Sequence, residues 1–329
     1  MKKRNIMAGL GIVVSAAAAC DVALSHYLLK YTTSRNSASN NRKVKKKAEK
    51  TDGEEEYYIK DASARAAHDL ERAMGKAWFD TVPNSYIMIT SHDGLMLNAV
   101  LFSKEPSSSL YVILVHGYKA DASAMYHYAY HYWQKGYNVL LPDLRGCGSS
   151  EGDYIGMGWL DRKDILSWID YILSLNSDAK IVLHGESMGA AAVMMVSGEE
   201  ALPPNVKVII EDSGYTSVND ILGSELDARF GLPKFPILNT ASMLSQRKAD
   251  YSFREASALK QVAKSHTPTL FIHGTGDDFV PCSMQEPLFE ACSAPKDKYT
   301  VAGAEHCCSA FYDTDEYYRR VFDFIGKYI

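Results

Sequence analysis

The chain has 329 residues, of which 47% are apolar and 23% are charged, so it can bury a full core. Its net charge of −5, without a basic patch interleaved with aromatic residues, gives no reason to expect nucleic acid as a partner. Its six cysteines include no CxxC pair and no spacing suited to zinc, and no other cluster of ligand residues indicates a metal or a cofactor.

The first 30 residues predict a signal peptide or a membrane anchor. Basic residues 2–4 precede an apolar stretch over residues 6–20, which resumes after Asp21 as residues 22–29. The first stretch has signal-peptide length, and the whole is just long enough to span a bilayer. The sequence thus predicts either a cell-membrane protein with one N-terminal anchor or a secreted protein. Basic residues on both sides of the stretch leave the side of the membrane open.

Residues 31–60 predict a polar, charged linker, because they are rich in Ser and Asn, then basic, then acidic, with almost no large apolar residue. The basic residues 42–47 either contact anionic lipid headgroups beside an anchor, which would give membrane association, or only keep the linker soluble. The globular part is then expected to span residues 61–329.

Apolar runs alternate with helical patterns from residue 61 onward, and an Asp93-Gly94 turn joins the first two runs as a hairpin. The predicted strands are Tyr86–Thr90, Leu95–Phe102, Leu110–Val115, Asn138–Leu141, Lys180–Leu183, Val206–Ile210, Thr269–Ile272 and Tyr299–Val301. The predicted helices are Asp61–Trp78, 122–135, Trp159–Leu175, Met188–Val196 and Asp315–Ile329. Unalternated apolar runs indicate parallel strands, so we predict the α/β class, with a mostly parallel, mixed eight-stranded sheet and helices on both faces.

One interval breaks this rhythm, from about residue 215 to residue 264. It holds two helical pieces, Val218–Phe230 and Leu238–Ser245, around an elbow at residues 233–236, where a strand is due. We predict a short helical cap, inserted between two strands and lying over the carboxyl ends of the sheet.

The sharpest local signal is Gly185-Glu186-Ser187-Met188-Gly189, which lies between a predicted strand and a predicted helix. A serine on so tight a turn has strained backbone angles, and side chains in place of the flanking glycines would collide with the strand and the helix. The turn projects the hydroxyl group from the sheet, above the N-terminus of the helix. Ser187 is therefore the predicted nucleophile.

A serine hydroxyl needs a base, and the base needs an acid that orients it. In the chain order nucleophile, acid, histidine, both partners should follow later strands. Asp277 follows the seventh predicted strand, and His306, the only later histidine, follows the eighth. We therefore predict a triad of Ser187, Asp277 and His306. Two carboxylates remain as alternatives for the acid: the adjacent Asp278, and Asp212, which follows the sixth strand and can also reach the histidine.

Acyl transfer also needs hydrogen-bond donors for the negative oxygen that develops on the substrate. His116-Gly117-Tyr118 ends the third predicted strand, where a small residue lets the backbone turn towards the serine. The predicted donors of this oxyanion hole are the backbone N–H groups of Tyr118 and Met188.

From about residue 87 to residue 329 the chain resembles the α/β-hydrolase superfamily, and more narrowly the bacterial serine aminopeptidase S33-like and Bem46-like hydrolases, some of which carry an N-terminal anchor. The resemblance rests on His116-Gly117, the loop at residues 143–152, the Ser187 motif, the residues from His273 to Pro281, and His306. It implies Ser187 as nucleophile, Asp277 as acid and His306 as base. The family often has histidine where Cys147 stands, which is outside the triad.

We expect a serine hydrolase that cleaves a carboxylic ester of a small or medium acyl group through an acyl-enzyme. A peptidase of the serine aminopeptidase type is the alternative, and the ammonium group of its substrate would need a carboxylate such as Glu225 or Asp227 in the cap. A further alternative is a non-catalytic binding module on the same fold, tethered to a membrane. The expected partner is thus a small-molecule ester or a peptide.

Overall fold

The computed structural model describes residues 19–37, 59–104 and 108–329. Within these ranges the strands are β1 Ser85–Thr90, β2 Met96–Phe102, β3 Leu110–Val115, β4 Asn138–Pro142, β5 Lys180–Glu186, β6 Val206–Asp212, β7 Thr269–Gly274 and β8 Lys296–Val301. The helices are α1 at residues 19–33, α2 Ala62–Thr81, α3 Tyr126–Gln134, α4 Asp161–Leu175, α5 Met188–Ser197, α6 Val218–Phe230, α7 Ile237–Ala249, α8 Ala258–Val262, α9 Gln285–Ala291, α10 Ser309–Tyr312 and α11 Thr314–Ile325.

The eight strands form one sheet, in the order β1-β2-β4-β3-β5-β6-β7-β8. β2 pairs antiparallel with β1 and with β4, whereas every other pair of neighbours is parallel. The predicted mostly parallel, mixed eight-stranded sheet is confirmed. Because parallel strands end at the same edge, the loops after β3, β5, β7 and β8 all open there.

Alternate side chains of the central strands enter two cores, one on each face of the sheet. Along β3, Ile113 and Val115 join the core that contains α4 and α5, while Val112 and Leu114 join the core that contains α3 and α11. A strand buried on both faces has apolar residues at successive positions, which explains why the central runs do not alternate. The prediction of helices on both faces is confirmed.

The chain between β6 and β7 holds α6, α7 and α8, and α6 and α7 correspond to the two helical pieces predicted for the cap. Val218 and Ile221 of α6 and Ala241 of α7 are buried in the same core as Met188, the first residue of α5. The cap therefore packs against the carboxyl edge of the sheet, beside the start of α5.

α1 packs against this cap. Leu28 lies in a small apolar cluster with Leu226 of α6 and with Ile237 and Leu238 of α7, while Leu29 is buried in the main core. The N-terminal part of the chain thus contributes a helix to the edge of the sheet where the loops after β3 and β5 open.

The signal or anchor predicted for residues 1–30 and the linker predicted for residues 31–60 are only partly described. Residues 1–18 and 38–58 lie outside the described part of the chain, and α1 runs across the expected boundary at residue 30. Among the helices of the described ranges, none combines the length with the apolar character needed to cross a membrane.

A buried ion pair fixes the loop after β4. The Arg145 guanidinium donates hydrogen bonds of 2.6 and 2.7 Å to Asp164 of α4, and of 2.8 and 3.1 Å to Asp93 in the β1–β2 turn. Arg145 and Asp164 are both buried. The loop is therefore held between the hairpin and α4.

We expect Asp164→Ala to lower the free energy of unfolding by about 3 kcal/mol, because the charge of Arg145 stays buried after its buried partner is removed. Urea unfolding followed by circular dichroism measures this change. The matched control is Asp170→Ala at an exposed position of α4, with an expected change within about 0.5 kcal/mol. A loss no larger than that of the control would contradict the role assigned to the ion pair.

Candidate active site

Ser187 lies in the turn between β5 and α5. Its backbone has φ 55° and ψ −115°, a strained conformation for a residue with a side chain. A Cβ on Gly189 would lie 2.0 Å from the Val115 carbonyl oxygen, and a Cβ on Gly185 would lie 2.3 Å from the Gly189 carbonyl oxygen. The two glycines therefore let α5 approach β3 and β5 closely enough to form the Ser187 turn.

Ser187, His306 and Asp277 form one continuous chain of hydrogen bonds. Ser187 Oγ lies 2.8 Å from His306 Nε2, and His306 Nδ1 lies 2.7 Å from Asp277 Oδ2. All three residues are buried. A carboxylate only accepts hydrogen bonds, so this network places the proton on Nδ1 and leaves Nε2 as the acceptor for the serine hydroxyl. The residues predicted as a triad thus lie together, on the loops after β5, β8 and β7.

Asp277 is held as a carboxylate. Its Oδ1 accepts hydrogen bonds from the N–H groups of Phe279 and Val280, at 2.9 and 2.8 Å. Its Oδ2 lies 3.2 Å from His273 Nε2, in addition to the contact with His306. Burial would raise the pKa of Asp277, but hydrogen bonds from His273 and His306 outweigh burial and lower the pKa to about 2. Asp277 is therefore ionised at neutral pH, as a residue that orients a histidine must be.

The two alternative acids have other surroundings. Asp278 is exposed to solvent. Asp212 is buried, and its carboxylate accepts hydrogen bonds from three hydroxyl groups, those of Ser213, Tyr317 and Ser309. The backbone N–H of Ser187 donates to the Asp212 carbonyl oxygen at 2.8 Å, so Asp212 supports the nucleophile turn through its backbone. Asp277 is the carboxylate that lies at His306 Nδ1.

The end of β3 passes beside Ser187. A Cβ built on Gly117 would lie 3.4 Å from Ser187 Cβ, and Tyr118 and Met188 both line a cavity onto which Ser187 opens. His116 is buried, and its two ring nitrogens hydrogen-bond to backbone groups at 2.8 and 3.0 Å. The residues predicted to supply oxyanion donors are thus neighbours of the nucleophile: Tyr118 follows the strand end that His116 fixes, and Met188 begins α5.

Ser187 lies where two cavities of different character meet. The first has a volume of about 100 Å³ and an apolar lining that includes Leu28 and Leu29 of α1, together with residues of α6 and α7. The second has a volume of about 410 Å³ and a mixed lining, in which Arg65 and Arg72 of α2 lie beside apolar side chains such as Phe311. His306 lines the second cavity but not the first. The imidazole therefore faces the larger, mixed cavity.

Sequence reasoning did not indicate the contributions of α1 and α2. Leu28 and Leu29 belong to a stretch whose composition predicts a signal or an anchor. Arg65 and Arg72 are seven residues apart, which is about two helical turns, and so share one face of α2. An ordinary solvated helix face has the same pattern, so the sequence holds no signal that marks these arginines as part of a site.

Among the described residues, one group has the types and spacing of metal ligands: His92, Asp93 and Asp164. Both carboxylates already bind the guanidinium of Arg145, whose charge opposes a cation at the same place. None of the three residues lines either cavity at Ser187. The site around Ser187 therefore does not include them.

Glu211 of β6 lies beside Gly185 in the sheet and is fully buried, with Oε2 accepting a hydrogen bond of 3.1 Å from the N–H of Gly214. Burial raises the pKa of Glu211 from 4.5 to about 8. Between these values the folded chain keeps a proton that the unfolded chain has lost. Glu211 therefore makes the protein less stable as the pH rises through this window.

We expect Glu211→Gln to remove this part of the pH dependence, because glutamine does not titrate. Urea unfolding at about pH 5 and about pH 8 should show a smaller fall in the free energy of unfolding for the variant than for wild type. Glu200→Gln, at an exposed position, should keep the wild-type fall. Equal falls for wild type and Glu211→Gln would show that Glu211 is ionised in the folded protein.

The model of the alpha/beta hydrolase family matches residues 112–320. The uncharacterized protein YqkD of Bacillus subtilis is 29% identical over 217 residues, which are 66% of this chain and 71% of that protein. Two solved structures share the fold. The esterase Pf2001 of Pyrococcus furiosus has a TM-score of 0.63 and 20% identity, over 76% of this chain and 95% of that one. The acylaminoacyl peptidase of Pyrococcus horikoshii has a TM-score of 0.55 and 17% identity, over 76% of this chain and 43% of that one.

Identities this low relate the two solved structures to the chain by fold alone. The family model, in contrast, matches more than half of the sequence, from β3 into α11, and this range includes Ser187, Asp277 and His306. The chain therefore belongs to the alpha/beta hydrolase family.

Proposed function

We propose that this protein is a serine hydrolase that cleaves a carboxylic ester through an acyl-enzyme. The observation that carries the proposal is the unbroken chain from Ser187 Oγ through His306 to Asp277, with the serine open to two cavities. A buried serine–histidine–carboxylate chain activates the hydroxyl group for attack on a carbonyl carbon.

The first half of the reaction forms the acyl-enzyme. His306 Nε2 takes the hydroxyl proton of Ser187 as Oγ attacks the carbonyl carbon of the ester. The N–H groups of Tyr118 and Met188 donate to the oxyanion of the tetrahedral intermediate. When this intermediate collapses, the bond to the alcohol oxygen breaks and His306 returns the proton to that oxygen. The alcohol leaves, and the acyl group stays on Ser187.

The second half releases the acid. His306 Nε2 takes a proton from water, and the resulting hydroxide attacks the acyl carbon. The bond to Ser187 Oγ breaks, and His306 returns the proton to Oγ. Throughout the cycle, Asp277 accepts the Nδ1–H hydrogen bond and stabilises the imidazolium while it carries the extra proton.

We infer from the position of His306 which cavity holds the alcohol and which holds the acyl group. Because His306 must deliver a proton to the leaving oxygen, the alcohol belongs in the cavity that His306 lines, which is the larger of the two and contains both polar and apolar side chains. The acyl group then lies in the apolar cavity beside Met188 and under α1. The favoured substrate is thus an ester of an apolar acyl chain.

The alternatives are less well supported. A serine aminopeptidase would need a carboxylate in the cap for the substrate ammonium, but Glu225 forms an ion pair with Arg229 of the same helix. Asp227 is exposed. A purely binding module would have no use for the hydrogen bond between Ser187 and His306. The narrower relation to S33-like and Bem46-like hydrolases stays a prediction that rests on the quoted motifs.

Wild type should react covalently with a fluorophosphonate probe and hydrolyse p-nitrophenyl esters faster than the matching anilides. Ser187→Ala should lose the label and about 10⁴-fold or more in kcat, because the nucleophile is gone. Ser174→Ala, an exposed serine of α4, is the control and should keep both properties. Equal labelling of wild type and Ser187→Ala would overturn the proposal.

Asp277→Asn should lower kcat by about 10⁴-fold, because an amide in its place favours the wrong histidine tautomer. Asp212→Asn should cost far less, since the asparagine oxygen still accepts from one hydroxyl group and the NH2 group donates to another, as a hydroxyl group can also accept. Ester hydrolysis by both variants, with folding checked by circular dichroism, measures the difference. The reverse order of losses would make Asp212 the acid of the triad.

A further inference from the structure

The N-terminal half of α1 is fastened to the cap by polar contacts. Ser25 Oγ donates a hydrogen bond of 3.0 Å to the carbonyl oxygen of Ile237, at the start of α7. One turn further into α7, the Thr240 hydroxyl donates to the carboxylate of Asp21. Ser25 is fully buried, so its bond to α7 is shielded from water. These contacts hold α1 in one position along the cap.

The other end of α1 is fastened to the loops of the sheet. The carbonyl oxygen of Thr32 accepts a hydrogen bond from the Tyr118 hydroxyl, and that of Thr33 accepts one of 2.8 Å from the N–H of Ile155. Just beyond the helix, the Arg35 guanidinium donates to two carbonyl oxygens of the loop after β4, at 2.6 and 2.8 Å. α1 is thus tied to Tyr118, whose backbone N–H is a proposed oxyanion donor.

Between these two ends, one face of α1 points into the apolar cavity. Leu28 and Leu29 are 8% and 2% exposed, whereas Val22 on the same helix is 50% exposed. Leu28 packs on the cap residues Leu226 and Leu238, and both leucines line the cavity that Ser187 also lines. The helix therefore closes a wall of this cavity with aliphatic side chains.

The remaining lining does not suit a charged acyl group. Among the described residues that line the apolar cavity, the charged ones are Glu225 and Arg229, and they form an ion pair with each other. Their charges are therefore balanced within the wall. The volume of about 100 Å³ is small. Replacing one lining side chain by a larger or smaller one therefore changes which acyl groups fit.

We propose that α1 is a wall of the acyl pocket and that Leu28 limits the length of the acyl chain. The inference rests on the proposed function, since only a hydrolase that holds its acyl group in this cavity would be affected. The substrate class that follows is an ester of an apolar acyl chain of limited length. A shorter residue at position 28 lengthens the pocket, and a larger one shortens it.

The test uses the full chain and three variants: Leu28→Ala, Leu28→Trp and Val22→Ala. For each, kcat/KM is measured with p-nitrophenyl butanoate and dodecanoate, beside fluorophosphonate labelling. Leu28→Ala should raise the ratio of dodecanoate to butanoate by about tenfold or more, and Leu28→Trp should lower it by a similar factor. Val22→Ala, which shortens an exposed aliphatic side chain, should keep the ratio within about twofold.

Opposite shifts of the ratio in the two Leu28 variants support the assignment of α1 as a wall of the acyl pocket, because damage to the fold would shift the ratio of both variants in one direction. Ratios within about twofold of wild type in both Leu28 variants, or shifts in the same direction, overturn the inference, while labelling of Ser187 leaves the proposed function standing. Absence of labelling and of ester turnover in wild type overturns the proposed function itself.

Discussion

The close approach of α5 to the end of β3 is the constraint on which the site depends. Gly189 lies so near the Val115 carbonyl group that a single added methyl group would not fit. This contact fixes the N-terminus of α5 beneath Ser187. The loops after β7 and β8 then bring a carboxylate and an imidazole to a point that is already set. Backbone packing therefore positions the nucleophile, and hydrogen bonds position its partners.

Two helices that precede the sheet in the chain decide the chemical character of the space around Ser187. α1 contributes leucines to the apolar cavity, and α2 contributes Arg65 and Arg72 to the larger, mixed cavity. The Ser187–His306–Asp277 chain lies in loops after the parallel strands, within the range that the family model matches. The features that distinguish one substrate from another thus come in part from outside the sequence range that identifies the family.

The sequence predicts those parts that have local signals. Ser187 has flanking glycines between a strand and a helix, and the central strands are apolar at successive positions because both their faces are buried. β8 is predicted too short, at Tyr299–Val301. Its first three residues are all charged, which a strand at the edge of the sheet tolerates but an apolar pattern does not reveal. Asp277 is predicted as the acid from chain order, but Asp212 stays an alternative in the sequence, since both follow strands of one edge. The contact between Asp277 and His306, and the hydroxyl groups of Ser309 and Tyr317 that bind Asp212, depend on residues distant in the chain.

A run of apolar residues looks alike in sequence whether it enters a bilayer or packs on a protein, and this affects how the chain is best handled. If expression began at residue 61, where the sequence predicts the globular part to start, α1 would be missing and the cap residues Leu226, Ile237 and Leu238 would lose their cover. Uncovered apolar patches promote association. Removing the N-terminus as if it were a leader would therefore yield a protein that associates more readily. Its apolar cavity beside Ser187 would be open on one side and would accept a wider range of acyl groups.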